Sequence, residues 1–179
     1  MVAIVVIGNV PPQTSAVLEV LAHTDYTFAR ITDHDDLHWP EYNALVPRLI
    51  IVAGYRRILP PWALALAPTV GFHSAKLPEY PGRAPVPWTL IRGDDYAYNT
   101  LLYLDEGVDT GDIIDERRIR VYPGDTPDVL YHHMARTCVE MLTEHLPALL
   151  DGTAPRTPQD PARRGPLTSK DGWAVYSGG

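Results

Sequence analysis

His73 and Asp109 each follow an apolar run and stand in a segment marked by glycine, Gly71-Phe72-His73-Ser74 in one case and Gly107-Val108-Asp109-Thr110-Gly111 in the other. Glycine lets backbone approach a ligand closely, and a loop at a strand end is where reactive side chains are commonly held. A histidine beside a carboxylate can take up and return a proton near neutral pH, because the acid fixes the tautomer and stabilises the imidazolium. Neither residue alone carries that reading: a single histidine is more often bonded to backbone, and a single aspartate before Thr-Gly more often caps a turn.

The elements that must position these residues read as an α/β chain. Residues 2–7, 49–53 and Thr69–Phe72 are short apolar runs rich in branched side chains, the pattern of strands buried on both faces, and the third delivers His73 at its end. Tyr26–Ile31, Tyr98–Leu104 and Ile113–Val121 read as further strands, the last two framing the loop Asp105–Asp112. Helices are expected over Ser15–Leu21 and Pro60–Ala67. A long helix is expected from Asp125-Thr126-Pro127-Asp128, which combines a cap with a first-turn proline, to Gly152. Asp33–Pro47 reads as a loop with at most a short helix. Residues 153–179, rich in Pro, Gly and Arg, read as an extended or poorly ordered tail. The order predicts a Rossmann-like open, mostly parallel sheet flanked by helices, with ligands at the carboxyl ends of the strands. Residues 1–152 would form one domain and 153–179 a tail closing it.

Composition narrows the chemistry. The 179 residues carry 22 acidic and 15 basic side chains, a formal charge of −7, which offers no general basic field for a phosphate backbone. The lone Cys138 can form neither an internal disulfide nor a thiolate cage, so a reducing, cytoplasmic setting is expected. The apolar opening is too short for a membrane span and lacks the parts of a signal peptide. His34-Asp35-Asp36-Leu37-His38 has metal-like spacing, but Trp39-Pro40 follows at once, so a solvated acidic loop and no metal is expected. His132 and His133 read as surface residues. Two of Arg117, Arg118 and Arg120 could face an anionic substrate, or simply protect an edge strand.

Three segments together resemble the folate-dependent formyltransferase family, which includes methionyl-tRNA, glycinamide ribonucleotide and sugar-amine formyltransferases. They are His73, Leu77-Pro78, Tyr80, Gly82, Pro85 and Trp88; Asp105-Glu106-Gly107-Val108-Asp109-Thr110-Gly111-Asp112-Ile113-Ile114; and Gly54-Tyr55-Arg56-Arg57-Ile58-Leu59-Pro60. The likeness covers most of residues 1–152. It implies that N10-formyltetrahydrofolate gives its formyl group to an amine. His73 and Asp109 match the family's catalytic pair, and Arg57, Ile58 and Leu59 with Leu104, Asp105 and Val108 match the elements that wrap the pterin ring. The implied partner is a small-molecule amine, such as an amino sugar, with neither nucleic acid nor membrane involved and a homodimer left open. No barrel domain of the tRNA-gripping kind is expected after the core. Gln159–Trp173 resembles the segment that closes the core in sugar formyltransferases.

The sequence departs from the family at two positions. Gly71 stands where the family has an asparagine whose amide donates to the formyl oxygen, and loss of one such donor costs on the order of 10²–10³ in rate. Ser74, Lys76 or a backbone N–H could replace it. Hydrolysis of the formyl donor, or folate binding without reaction, are the alternatives that Gly71 opens. Pro81 replaces a common arginine, with Arg83 two residues on. Asn99 precedes the Asp105 loop, but strand alternation gives no reason to place it at the site. Gly8 reads as a tight turn, since Val10-Pro11-Pro12 leaves few free N–H groups for a phosphate.

Overall fold

Alternation along the buried strands decides the layering. In the computed structural model, which describes residues 3–32 and 46–168, strand β1 (Ile4–Ile7) is wholly buried. Its even-numbered side chains Ile4 and Val6 join one apolar cluster and Val5 and Ile7 another. Strand β3 (Leu49–Val52) divides the same way, Leu49 and Ile51 to the first cluster, Ile50 to the second. The first face is covered by helix α1 (Gln13–Ala22), through Val17, Val20 and Leu21, and by helix α4 (Pro127–Asp151), through Met141, Leu142, Leu146 and Leu149. The second is covered by the short helix α2 (Pro61–Leu64) and its flanks Leu59 and Leu66.

Six strands make one sheet in the order β2-β1-β3-β4-β5-β6, where β2 is Phe28–Ile31, β4 Thr69–His73, β5 Tyr96–Tyr103 and β6 Ile113–Arg120. The pairings from β2 to β4 are parallel, and β5 and β6 are antiparallel to their neighbours. The expected open, mostly parallel sheet is therefore present, with an antiparallel edge. His73 at the end of β4 lies opposite Thr100 of β5, which brings the start of β5 to the same end of the sheet.

Helix α3 (Pro85–Arg92) is not among the helices expected from the sequence; its two prolines both fall in its first turn, where no backbone N–H partner is lost. The capped start of α4 is as the sequence indicates: Thr126 Oγ1 accepts from the Val129 N–H, and Gly152 ends the helix at φ +73°. Residues 153–168, expected as an extended or poorly ordered tail, run back along the domain. They include a 3₁₀ turn (Pro161–Arg163), and Thr157 pairs with Ile113 through two backbone hydrogen bonds of 2.9 Å. The acidic His34–His38 stretch lies outside the described residues. Among those described, no helix is long and apolar enough to cross a membrane.

At the switch between β1 and β3, where such sheets usually open a crevice, the chain fills the space itself. A side chain at Gly8 would overlap the Ala53 carbonyl. Thr14 Oγ1 donates to Ala53 O at 2.7 Å, and the Val10 N–H donates to Gly54 O at 3.0 Å. Gly8 thus serves a close approach of two backbones.

Candidate active site

His73 is 7% exposed, and its two ring nitrogens face different acceptors. Nε2 lies 2.7 Å from the Tyr80 carbonyl oxygen, which can only accept, so Nε2 carries the hydrogen and donates. Nδ1, which holds the lone pair whenever the ring is neutral, points at Asp109 Oδ2, 3.5 Å away. The same Oδ2 accepts from the Gly82 N–H at 2.8 Å. A proton arriving at Nδ1 would meet a carboxylate already fixed in place, so the arrangement can accept a proton and hold the resulting imidazolium.

Both residues are held by the turns around them. The Tyr80 N–H donates to Lys76 O at 2.9 Å, closing the turn that sets the carbonyl under His73, and the Arg92 guanidinium lies over the Tyr80 ring. Thr100 Oγ1 donates to Ala75 O at 2.7 Å, and Gln13 Nε2 to Ser74 Oγ at 3.0 Å. Asp109 itself sits at φ +53°, a left-handed conformation that Asp tolerates better than most residues.

The remaining sequence-flagged residues fall into three groups. Leu59 is buried and packs in the second-face cluster with Leu104, so the loop after β3 and the loop after β5 are joined at their roots. Ile58 and Val108, on those two loops, present apolar surface, 69% and 36% exposed, and Arg57 is exposed beside Ile58. Asp105 bonds within its own loop, Oδ1 accepting from Gly107 N–H and Thr110 Oγ1, and so shapes the turn that carries Asp109. Leu104 also answers for Gly71: a Cβ built there would stand 3.1 Å from both of its terminal methyl carbons. The space beside a residue-71 side chain is already taken.

Asn99 faces the other way. It is fully buried against α4, its amide donating to Met134 O, Thr137 Oγ1 and Cys138 Sγ. The arginines of β6 are likewise engaged. Arg117 bonds Asp115 and Glu144, and Arg118 and Arg120 lie over the Tyr96 ring. Asp115, Glu144 and His145 form the one cluster of metal-ligating side chains among the described residues, but the Arg117 guanidinium already sits on both carboxylates, at 2.7 and 2.6 Å. Burial opposes ionisation of Asp115, yet hydrogen bonds from His145 and Arg117 hold it below its usual range. His132 is exposed and His133 half-buried.

The sequence resemblance marks Gln159–Trp173 as a closing segment but does not single out Gln159, Arg164 and Thr168, which bond to the loops of both candidate residues. Gln159 Nε2 donates to Asp109 O and Gly111 O, and Arg164 Nη2 to Val108 O; Thr168 pairs with the backbone on either side of Gly82. No periodicity marks such a segment, since its backbone runs across the loops rather than within an element.

Comparison with known proteins gives the chain a family. The sequence profile described as formyl transferase matches residues 10–146. The methionyl-tRNA formyltransferase of Desulfotalea psychrophila is 39% identical over 132 residues, covering 72% of this chain and 41% of that protein. The chain thus spans about two fifths of the length of such curated relatives. Among solved structures, the formyltransferase PseJ from Anoxybacillus kamchatkensis, in complex with a UDP-linked formamido sugar and tetrahydrofolate, superposes with a TM-score of 0.78 at 24% identity, covering 98% of this chain and 89% of that one. The N-formyltransferase from Helicobacter canadensis, bound to folinic acid and dTDP-3-aminofucose, gives 0.81 at 17% identity over 96% and 72%. Profile and relatives agree: the chain belongs to the formyl transferase family.

Proposed function

We propose that this protein transfers a formyl group from N10-formyltetrahydrofolate to the amino group of a small molecule, with His73 as proton acceptor and Asp109 as its orienting carboxylate. The observation that carries the reading is the buried His73 Nδ1 facing a carboxylate oxygen that a backbone N–H already fixes. The chain's residues suit the donor. Ile58 and Val108 offer exposed apolar surface for a flat ring system, on loops joined through Leu59 and Leu104, with Arg57 alongside.

When bound, the donor supplies a formyl carbon open to attack by an amine. An attacking amine develops positive charge on nitrogen and leaves negative charge on the carbonyl oxygen, so a site must take one proton and neutralise one oxygen. His73 Nδ1 would take the proton from the attacking amine while Asp109 holds the imidazolium, and breakage of the bond between the formyl carbon and N10 of the donor would release tetrahydrofolate, whose N10 takes up that proton. Gly71 supplies no amide to the oxygen. Ser74 and Lys76 are the nearby polar side chains: Ser74 Oγ accepts from Gln13, and Lys76 lies 3.8 Å from Glu79.

A small acceptor is favoured by the charge of −7. The alternative acceptor, methionyl-tRNA, is favoured by the identity of the curated relatives. Consumption of 10-formyltetrahydrofolate measured with nucleotide-linked amino sugars and with methionyl-tRNA separates the two. Formate released without any amine identifies hydrolysis instead. His73→Ala should lower turnover by roughly 10²–10⁴, and a variant as active as its parent would overturn the proposed mechanism.

A further inference from the structure

The described end of the chain runs back over both loops that carry His73 and Asp109. Thr157 is fixed to β6 at Ile113, and two residues later the Gln159 amide forks onto the Asp109 loop. Both Nε2 hydrogens are used, one on Asp109 O at 2.9 Å and one on Gly111 O at 2.8 Å. Two carbonyls accept and cannot donate, so this orientation of the amide is forced. Arg164 adds Nη2 to Val108 O at 2.6 Å and Nη1 to Asp109 O at 3.5 Å. Three carbonyls of one short loop are thereby gripped from one segment.

The loop needs such a grip. Asp109 holds a left-handed backbone conformation, one that persists in a non-glycine residue only when its surroundings impose it. Further along, the same segment reaches the other side of the pair. Gly165 N–H donates to Pro78 O at 3.1 Å, Thr168 N–H to Pro81 O at 3.1 Å, and Arg83 N–H to Thr168 O at 2.9 Å. These bonds bracket Gly82, whose own N–H sets Asp109 Oδ2. One stretch of backbone therefore fixes both the main chain of Asp109 and the donor that aims its carboxylate.

We propose that Gln159 is a positioning residue for the His73–Asp109 pair, the side chain through which residues 157–168 set the Asp109 loop in register with His73. This rests on the reading of the pair given above. Gln159 touches no reacting atom; its effect is the placement of Asp109 Oδ2 relative to His73 Nδ1. Misplacement of a reacting group by about 1 Å can cost on the order of 10²-fold in rate, so the consequence belongs in kcat and not in affinity for the donor.

The test uses the whole chain carrying Gln159→Leu, which keeps the volume and removes both donors. Its kcat should fall by roughly 10- to 100-fold, with KM for 10-formyltetrahydrofolate within about threefold of the parent. In protein labelled with ¹⁵N-histidine, the His73 signal, assigned by its loss in His73→Ala, should shift at Nδ1. Arg164→Met, a change to a half-buried residue of the same segment, should act in the same direction more weakly, and it serves should the leucine variant fail to fold. Parental kcat together with an unmoved His73 signal in either folded variant overturns the inference. Parental turnover in His73→Ala overturns the reading of the pair instead, and the ¹⁵N shift in Gln159→Leu still reports whether Gln159 holds the two residues together.

Discussion

Leu104 stands against the position that a side chain at Gly71 would occupy, with both of its methyl carbons 3.1 Å from an ideal Cβ. A side chain added at position 71 would therefore press on Leu104, which would have to give by a few tenths of an ångström to admit it. Gly71→Asn alone should cost roughly 1–3 kcal/mol by overpacking and restore little activity. Combined with Leu104→Ala, which clears the contact, it should raise formyl transfer at least about tenfold, toward the range that one oxyanion donor supplies. Unfolding curves and turnover of the two single variants and the double variant measure the coupling. Strict additivity would show that the two positions are independent.

Asp109→Asn keeps an oxygen for the Gly82 N–H and a residue type tolerant of φ +53°, while removing the charge that faces His73. Stability should change by less than about 1 kcal/mol, and turnover should fall by roughly 10²–10⁴. Asp109→Ala should be less stable than Asp109→Asn, because alanine meets the full steric cost of the left-handed region, about 1 kcal/mol. Chemical denaturation and initial rates check both statements.

Burial raises the Glu116 carboxyl above its ordinary 4.5, against the opposing charge of Lys76 and hydrogen bonds from Leu77 and Thr100. The unfolded chain thus gives up this proton before the folded one does. As pH climbs from below 4.5 through the raised value, the native state holds the extra proton and stability falls. Glu116→Gln should melt above the parent at pH 7, and the gap should close as the pH drops below 4.5. Melting curves across that range would contradict the assignment if the gap stayed constant.

Cys138 is fully buried, and its burial pushes the thiol up to about 12, with the hydrogen bond from Asn99 opposing. The thiolate is the reactive form, so a disulfide reagent at pH 8 should leave the native protein unmodified. In denaturant it should titrate one thiol. Rapid labelling of the native protein would mean that α4 lifts from β5 far more often than its packing implies.

The buried strands and the capped helix α4 were legible because branched apolar runs and a Thr-Pro-Asp start each carry a local physical signal. His73 and Asp109 were legible as a pair because each ends or follows a strand in a glycine-bearing loop. Helix α3 was not, since its eight residues show only a short apolar periodicity after two prolines. The direction of β5 depends on which end of the sheet residues 74–95 reach, and no periodicity encodes that. Gln159 and Arg164 were hidden for a further reason: their partners are carbonyl oxygens, which every residue possesses and no sequence pattern displays.

The bonds from residues 157–168 to the two loops reach back 48 to 87 positions along the chain. A nascent polypeptide emerging from the ribosome can lay down the parallel strands and both loops well before those partners exist. Chains halted before residue 157 would lack every one of these bonds, and the Asp109 loop would then meet His73 without that support.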